Sequence, residues 1–210
     1  MFLACLRQTG DPGLNYRTVT RVYQRIRETI YPVCELEGSR LAGGIEIDEA
    51  YFGGKRGRGA VGKRIVLGLL ERNGQVYTRV AVPTGSPRFR EGGAGRQVES
   101  LTAQEFMEYI SKKTRKGSVY YTDTFRSYRS LKHLGKHHTI SHGKKFPKTK
   151  NHINGIEGFG SYAKHVLYNY RGGSKYHFPM YLKEIEYRFN HRNENMLKLF
   201  VNIYFGYVPT

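Results

Sequence analysis

Hydrophobic and polar positions alternate with a period of two in the first half of the chain, which predicts β-strands there. The alternation begins at residues 44–49, and apolar runs follow at 64–70 and 76–82 on either side of an Asn-Gly pair at 73–74. Two such runs joined through Asn-Gly predict an antiparallel hairpin. A short apolar run at 118–122 predicts one more strand, which ends at an aspartate.

Helical spacing of apolar residues alternates with these strands. It predicts helices at 101–110 and 125–131, and again over 154–190 with interruptions at Gly172-Gly173 and at Pro179, while residues 138–140 are expected to be a strand. The predicted order is three strands, a helix, a strand, a helix, a strand and then helices. This order indicates an α/β fold in which an antiparallel meander precedes a crossover and helices cover the sheet.

The segment before residue 40 contains a helical pattern of its own. Its apolar positions share one helix face: Val19, Val22, Tyr23, Ile26 and Ile30. Its arginines are expected on the other faces: Arg17, Arg21, Arg25 and Arg27. Two interpretations stay open. The segment is either an amphipathic helix packed on the main domain, or the second helix of a helix-turn-helix whose arginines face phosphates.

Composition and net charge limit the classes of protein and of partner that fit the chain. The chain has 210 residues, 39% of them hydrophobic, which is enough to build a core and excludes general disorder. Its 35 Lys and Arg outnumber 17 Asp and Glu, giving a net charge of +18. Such an excess indicates a polyanionic partner, first nucleic acid and second an anionic membrane surface. Because no long apolar run is present and the two cysteines form no framework, the sequence predicts a cytoplasmic, DNA-associated protein without a membrane span.

A glycine-rich basic loop follows the first predicted strand. Residues 57–63 match the G-x4-G-K pattern of a nucleotide-binding loop, but Arg64 stands where Ser or Thr should bind magnesium, and a strand is predicted next. The pattern therefore argues against a nucleotide site. It favours a loop that lets the backbone and basic side chains approach DNA phosphates.

Three carboxylates stand out because acidic residues are scarce. Asp48 lies in the first strand, Asp123 ends the strand at 118–122, and Glu157 lies in the first turn of a helical segment. A central sheet could bring them together to hold two divalent cations for phosphodiester chemistry. The alternatives are a turn former at Asp48, a helix cap at Asp123 and an acid favoured by the helix dipole at Glu157.

Closely spaced histidines offer a competing metal site. They are His133, His137, His138, His142 and His152. Because adjacent residues of a strand point to opposite faces, His137 and His138 would not share a tetrahedral zinc site without bending. We therefore expect these histidines to line a groove or the surface.

Four motifs together resemble one family, the DDE-type bacterial insertion-sequence transposases that carry an IDE-x-Y-x-GGK signature. The first motif is Ile45 to Lys55 (IEIDEAYFGGK), and the second is Val119 to Tyr128 (VYYTDTFRSY). The third begins at Asn154 (NGIEGF) and continues to Lys164, and Tyr187 to Arg192 (YRFNHR) is similar to the closing helix of the group.

This resemblance implies an RNase-H-like mixed sheet flanked by helices, with a short N-terminal helical segment. It also implies Mg²⁺-dependent cleavage and transfer of DNA strands, with two Mg²⁺ ions, replaceable by Mn²⁺, held by Asp48, Asp123 and Glu157. The division expected along the chain is a partial helix-turn-helix-like segment at 1–40, the catalytic domain at 41–195 and a tail at 196–210. The zinc ribbon usual in the group has no counterpart here, so the chain resembles an N-terminally truncated member.

Phosphate contacts are expected from basic residues around these motifs and from one amide. They are Lys55, Arg56, Arg58, Lys144, Lys145, Asn154 and Lys164. Partners would be the DNA of the element ends and the target, bound by a homo-oligomer, and no membrane. Two other functions stay open: an RNase-H-like nuclease that cuts without joining, and a DNA-binding remnant without catalysis.

Overall fold

The computed structural model describes most of the chain in eight ranges. They are residues 15–36, 40–52, 64–72, 74–80, 103–124, 126–140, 153–168 and 177–206. The chain divides into two compact units, one formed by residues 39–160 and the other by residues 1–38 with 161–210. The domain boundaries expected from the sequence, after residues 40 and 195, stay predictions.

The described part of unit 39–160 contains a mixed five-stranded sheet. Its strands are β1 (Gly44–Phe52), β2 (Arg64–Glu71), β3 (Val76–Val80), β4 (Val119–Thr122) and β5 (Lys136–Thr139). The strand order is β3-β2-β1-β4-β5, with β1, β2 and β3 antiparallel and with β4 parallel to both β1 and β5. This topology confirms the predicted meander and crossover, and it is that of the RNase-H-like fold.

Five α-helices and one 3₁₀ helix accompany the sheet in the described residues. They are α1 (Tyr16–Leu36), α2 (Ala103–Lys113), the 3₁₀ helix Arg126–His133, α3 (Asn154–Tyr168), α4 (Phe178–Asn190) and α5 (Met196–Phe205). The helix expected at 125–131 is thus a 3₁₀ helix, and β5 begins two residues before the predicted strand. Pro179 lies in the first turn of α4, where the missing N–H costs no hydrogen bond, so it begins the helix rather than interrupting it.

The core of unit 39–160 lies between the sheet and α2. Its fully buried members come from nearly every element of the unit: Leu41, Ile45, Ile47, Leu67, Leu69, Tyr77, Phe106, Tyr109, Ile110, Tyr120, Tyr128 and Leu131. Strand β2 is buried from Ile65 to Leu70 without alternation, because both of its faces are covered. This packing fixes β1 and β4, which carry the predicted site residues, in the middle of the sheet.

In the other unit, α1 packs on α4 and α5. The predicted apolar face of α1 is confirmed, since Ile26, Ile30 and Cys34 pack with Tyr187 and Phe200. The contact therefore pairs the N-terminal helix with the C-terminal helices.

One of the arginines expected on the polar faces of α1 is buried. Arg27 is 5% exposed, and its Nε lies 2.7 Å from Glu184 Oε2. Glu184 also accepts from Arg188 at 2.8 Å, while Lys183 pairs with Glu186 at 3.1 Å. The sequence pattern placed Arg27 off the apolar face of α1, and it did not show the burial of this side chain because the partner, Glu184, stands 157 residues further along the chain.

Candidate active site

Asp48 and Asp123 lie at the same edge of the sheet, on neighbouring parallel strands. The register pairs Gly44 with Val119 and Glu46 with Tyr121. Asp48 and Asp123 each stand two residues beyond the last of these pairs, so the two strands present them side by side. Neighbouring strands are about 4.8 Å apart, a separation that one cation or a pair of cations can bridge. Two of the three predicted carboxylates are therefore brought together.

The carboxylates of Asp48 and Asp123 contribute to raised pKa values of neighbouring groups. The pKa of Glu49 is raised above its usual value, first by burial and then by the charges of Asp123 and Asp48. Burial also raises the pKa of Tyr128, and Glu49, Asp123 and Asp48 add to the effect. Asp48 Oδ1 accepts the Glu49 backbone N–H at 2.8 Å, which orients this carboxylate. The result is a concentration of negative charge at one edge of a strongly basic protein.

Glu157 stands in the first turn of α3 and its side chain is exposed. The preceding residue, Ile156, packs on Gly68, where an added Cβ would lie 2.7 Å from Ile156 Cδ1. Gly68 is the register partner of Asp48 on β2, so the start of α3 lies over the strand next to Asp48. In the described ranges, however, no group of three or more His, Cys, Asp or Glu side chains is arranged to hold a metal ion. The carboxylates that could contribute are the Asp48–Asp123 pair with Glu157.

Glu46 lies on the same face of β1 as Asp48, and its sequence pattern alone predicted no role for it. Its side chain is 1% exposed, and Arg72 Nε donates to its Oε1 at 3.0 Å. Its Oε2 accepts the backbone N–H of Ile156, also at 3.0 Å. The signal that the sequence offered was a glutamate between two isoleucines of a strand. A buried carboxylate needs hydrogen-bond partners, and because a single strand does not supply them, another element must.

Most of the predicted phosphate contacts cannot be placed. Five of them lie outside the described residues: Lys55, Arg56, Arg58, Lys144 and Lys145. Asn154 is exposed at the start of α3, and Lys164 is exposed in the same helix seven residues after Glu157. The glycine-rich loop at 57–63 is also outside the described residues, and the segment that follows it is strand β2, as predicted.

A cavity of about 550 Å³ opens at the ends of β4 and β5, close in sequence to Asp123. It is lined by Thr124, Arg129, Lys132, His137 and Thr139. His137 Nε2 lies 2.8 Å from Thr122 Oγ1, and burial, with a further effect of His138, lowers the pKa of His137. The neighbouring His138 stacks on Tyr121, with ring centroids 5.4 Å apart. The two adjacent histidines thus make separate contacts.

Comparisons of the sequence with known proteins identify a family. Residues 40–190, nearly three-quarters of the chain, match the family described as the ISXO2-like transposase domain. An uncharacterized transposase-like protein of Haemophilus influenzae is 40% identical over 94 residues, which are 44% of this chain and 76% of that protein.

Two solved structures are similar at low sequence identity. The HTLV-2 integrase catalytic core domain in complex with magnesium is 13% identical, covers 80% of this chain and 98% of its own, and has a TM-score of 0.41. The catalytic domain of Mos1 mariner transposase is 12% identical, covers 92% and 95%, and has a TM-score of 0.33.

None of the described helices is both long and apolar enough to span a bilayer. The family match includes all four motifs that suggested a transposase apart from the last two residues of the fourth. The chain belongs to the ISXO2-like transposase domain family, whose activity is DNA transposition.

Proposed function

We propose that this chain cleaves DNA strands at the ends of an insertion element and joins them to target DNA. Asp48, Asp123 and Glu157 are the proposed catalytic carboxylates. The observation that supports the proposal is the parallel pairing of β1 with β4, because Asp48 and Asp123 each follow the last residue pair of that register, Glu46 and Tyr121, by two residues. The pKa of Glu49 is raised first by burial and then by the charges of Asp123 and Asp48, and this nearby negative charge further supports a site for cations.

The donor set fits Mg²⁺, which prefers carboxylate oxygens and retains several of its own waters. Asp48 and Asp123 would hold the ions from the sheet and Glu157 would hold them from the first turn of α3. We propose two Mg²⁺ ions, with Mn²⁺ able to replace them. When bound, they supply activation of a water or a 3′-hydroxyl and stabilisation of the leaving oxygen.

The reaction has two phosphoryl transfers. Water attacks the phosphorus at the element end and the bond to the 3′ oxygen breaks, leaving a 3′-hydroxyl and a 5′-phosphate. That 3′-hydroxyl then attacks a phosphodiester of the target, a new bond to phosphorus forms, and the 3′ oxygen of the target strand leaves. Both steps place an in-line pair of oxygens at the same edge of the sheet, where Asp48 and Asp123 lie.

Binding of DNA follows from the charge of the chain, +18 over its whole length. We propose that Lys164, on the helix that carries Glu157, contacts phosphate together with Asn154. The basic residues at 55–58 and at 144–145 are proposed to contact phosphate as well. The active form on DNA is proposed to be a homo-oligomer, since two element ends must be processed together.

The test is a strand-transfer assay with the full chain. Duplexes that carry the DNA sequences flanking the gene on either side, with a free 3′-hydroxyl, are incubated with supercoiled plasmid and Mg²⁺. Joined products that disappear in Asp123→Asn are expected. Nicks without joining would instead assign a nuclease. DNA binding without nicking, joining or any effect of metal would assign a DNA-binding remnant and contradict the proposal.

A further inference from the structure

The first turn of α3 is tied to β1 by a buried carboxylate. The first N–H groups of a helix have no acceptor within the helix. Ile156 is in this position, and its N–H donates to Glu46 Oε2 at 3.0 Å. The other oxygen of Glu46 accepts from Arg72 Nε at 3.0 Å, and the guanidinium of Arg72 lies 3.7 Å from the ring centroid of Tyr121 on β4. The helix start is thus connected to both strands that carry the aspartates.

Two glycines allow this close approach. A Cβ on Gly155 would lie 2.8 Å from Glu46 Oε2 and 2.7 Å from Leu70 Cδ2. A Cβ on Gly68 would lie 2.7 Å from Ile156 Cδ1. Because all three distances are shorter than real Cβ contacts, this close approach of the helix to the sheet requires glycine at both positions. The position of the first turn is therefore set by the Ile156–Glu46 hydrogen bond together with the close packing at Gly155 and at Gly68.

We infer that Glu46 is a positioning residue for Glu157. It stands two residues before Asp48 on β1 and binds the N–H of the residue that precedes Glu157 in α3. It thereby fixes the distance between a carboxylate of the helix and the carboxylates of the sheet. The inference rests on the proposed function, because it gives Glu46 a role in the binding of the cation.

The test measures metal binding without DNA. Mn²⁺ affinity of the full chain is determined by electron paramagnetic resonance for wild type, Glu46→Ala, Glu46→Gln and Asp123→Asn. Groups that orient metal ligands typically change metal affinity by about 10–100-fold when removed. We expect a loss of at least about tenfold in Glu46→Ala. Glu46→Gln, which keeps an oxygen for the Ile156 N–H, should retain most of the affinity.

A stability control separates positioning from general damage. Ile110→Ala removes a fully buried side chain from the core of the same unit, on helix α2, which carries none of the proposed carboxylates. It should lower Tm and leave Mn²⁺ affinity unchanged. If Glu46→Ala does not fold, Gly155→Ala, which crowds Glu46 Oε2, takes its place. Wild-type affinity in the Glu46 or Gly155 variant, or an equal loss in Ile110→Ala, would overturn the inference while Asp123→Asn still tests the proposed function.

A separate observation concerns the cavity lined by Thr124, Arg129, Lys132, His137 and Thr139. Residues three apart in a 3₁₀ helix lie above one another, so Arg129 and Lys132 share one side of the 3₁₀ helix Arg126–His133. Both are exposed, and neither forms an ion pair with another described residue. The described residues of the lining supply two cations, two hydroxyls and an imidazole whose pKa is lowered by burial, and none of them is a carboxylate.

The geometry points to a phosphate-binding subsite for a DNA strand in this cavity. Thr124 directly follows Asp123, so a phosphodiester held here would lie next along the strand from the group that reacts. Hydroxyl groups and cationic side chains are donors that recognise phosphate oxygens. This inference also rests on the proposed function, since it assigns the path of the substrate strand.

The test compares two double variants of equal charge. Arg129→Ala with Lys132→Ala removes the cavity cations, and Arg115→Ala with Lys116→Ala removes two exposed cations before the start of β4, at the opposite edge. Affinity for a DNA duplex is measured by fluorescence anisotropy against NaCl concentration. The slope of log K against log salt is negative, and each lost phosphate contact reduces its magnitude by about 0.9.

We expect the magnitude of this slope to be smaller by about 1–2 in the cavity variant and to stay as in wild type in the opposite-edge variant. Equal changes in both variants, or none in the cavity variant, would overturn the subsite. Wild type that fails to bind DNA would instead overturn the proposed function and the subsite with it.

Discussion

Substitution by alanine is expected to have opposite effects on stability at Gly155 and at Gly158, two glycines of α3. Both lie in the first half of one helix, and alanine is favoured over glycine in helices by about 0.5–1 kcal/mol. At Gly158 an added Cβ would meet no atom of the described residues within 4 Å. Gly158→Ala should therefore stabilise the fold by about 0.5–1 kcal/mol, which for a protein of this size is a rise in Tm of about 2 °C.

At Gly155 the added Cβ would lie 2.7 Å from Leu70 Cδ2 and 2.8 Å from Glu46 Oε2. Both side chains are buried, so neither can move aside without disturbing its own contacts. Overpacking of this kind costs about 1–3 kcal/mol. Because this cost exceeds the gain in helix propensity, Gly155→Ala should destabilise the fold by about 1–2 kcal/mol.

Urea unfolding followed by circular dichroism measures both variants against wild type. The free energies of unfolding of the two variants should differ by about 1–3 kcal/mol, with wild type between them. Equal stabilisation by both alanines would refute the reasoning, since it would mean that the start of α3 does not approach β1 and β2 as closely as described.

Other substitutions test the buried charges. Lys183→Met leaves the fully buried carboxylate of Glu186 without its lysine, so the free energy of unfolding should fall by about 3 kcal/mol; Lys112→Met, in an exposed pair, should cause no measurable change. Glu49→Gln should stabilise the fold at pH 7, because the raised pKa shows that the charged form is disfavoured there. Chemical denaturation from pH 4 to 8 should show this gain disappear below about pH 4.5, where the carboxyl is protonated in both states; a gain that persists at pH 4 contradicts the assignment.

The strands that carry the aspartates could be predicted from the sequence because their signals are local. Alternation around Asp48 and a short apolar run before Asp123 identify two strands. The parallel pairing of β1 with β4 then follows from the predicted crossover, and it alone brings the two aspartates to one edge.

The burial of Glu46 and Arg27 could not be predicted, because their partners are distant in sequence. Glu46 fits the polar side of an alternating strand, and only the backbone of α3, 110 residues later, shows that it is buried and bonded. Arg27 fits the polar face of an amphipathic helix until Glu184 is brought to it. Periodicity indicates which face a residue lies on, but it does not tell whether another element covers that face.

The central claim is that Asp48 and Asp123 act together in a metal-dependent cut of DNA. The most direct measurement is nicking of supercoiled plasmid in Mg²⁺ by wild type, Asp123→Asn and Glu108→Gln, the last replacing an exposed carboxylate of α2 as the control. Asparagine keeps the size of aspartate and removes the charge that attracts the cation. Nicking by wild type and Glu108→Gln but not by Asp123→Asn is the predicted result. Equal nicking by all three proteins would contradict the account.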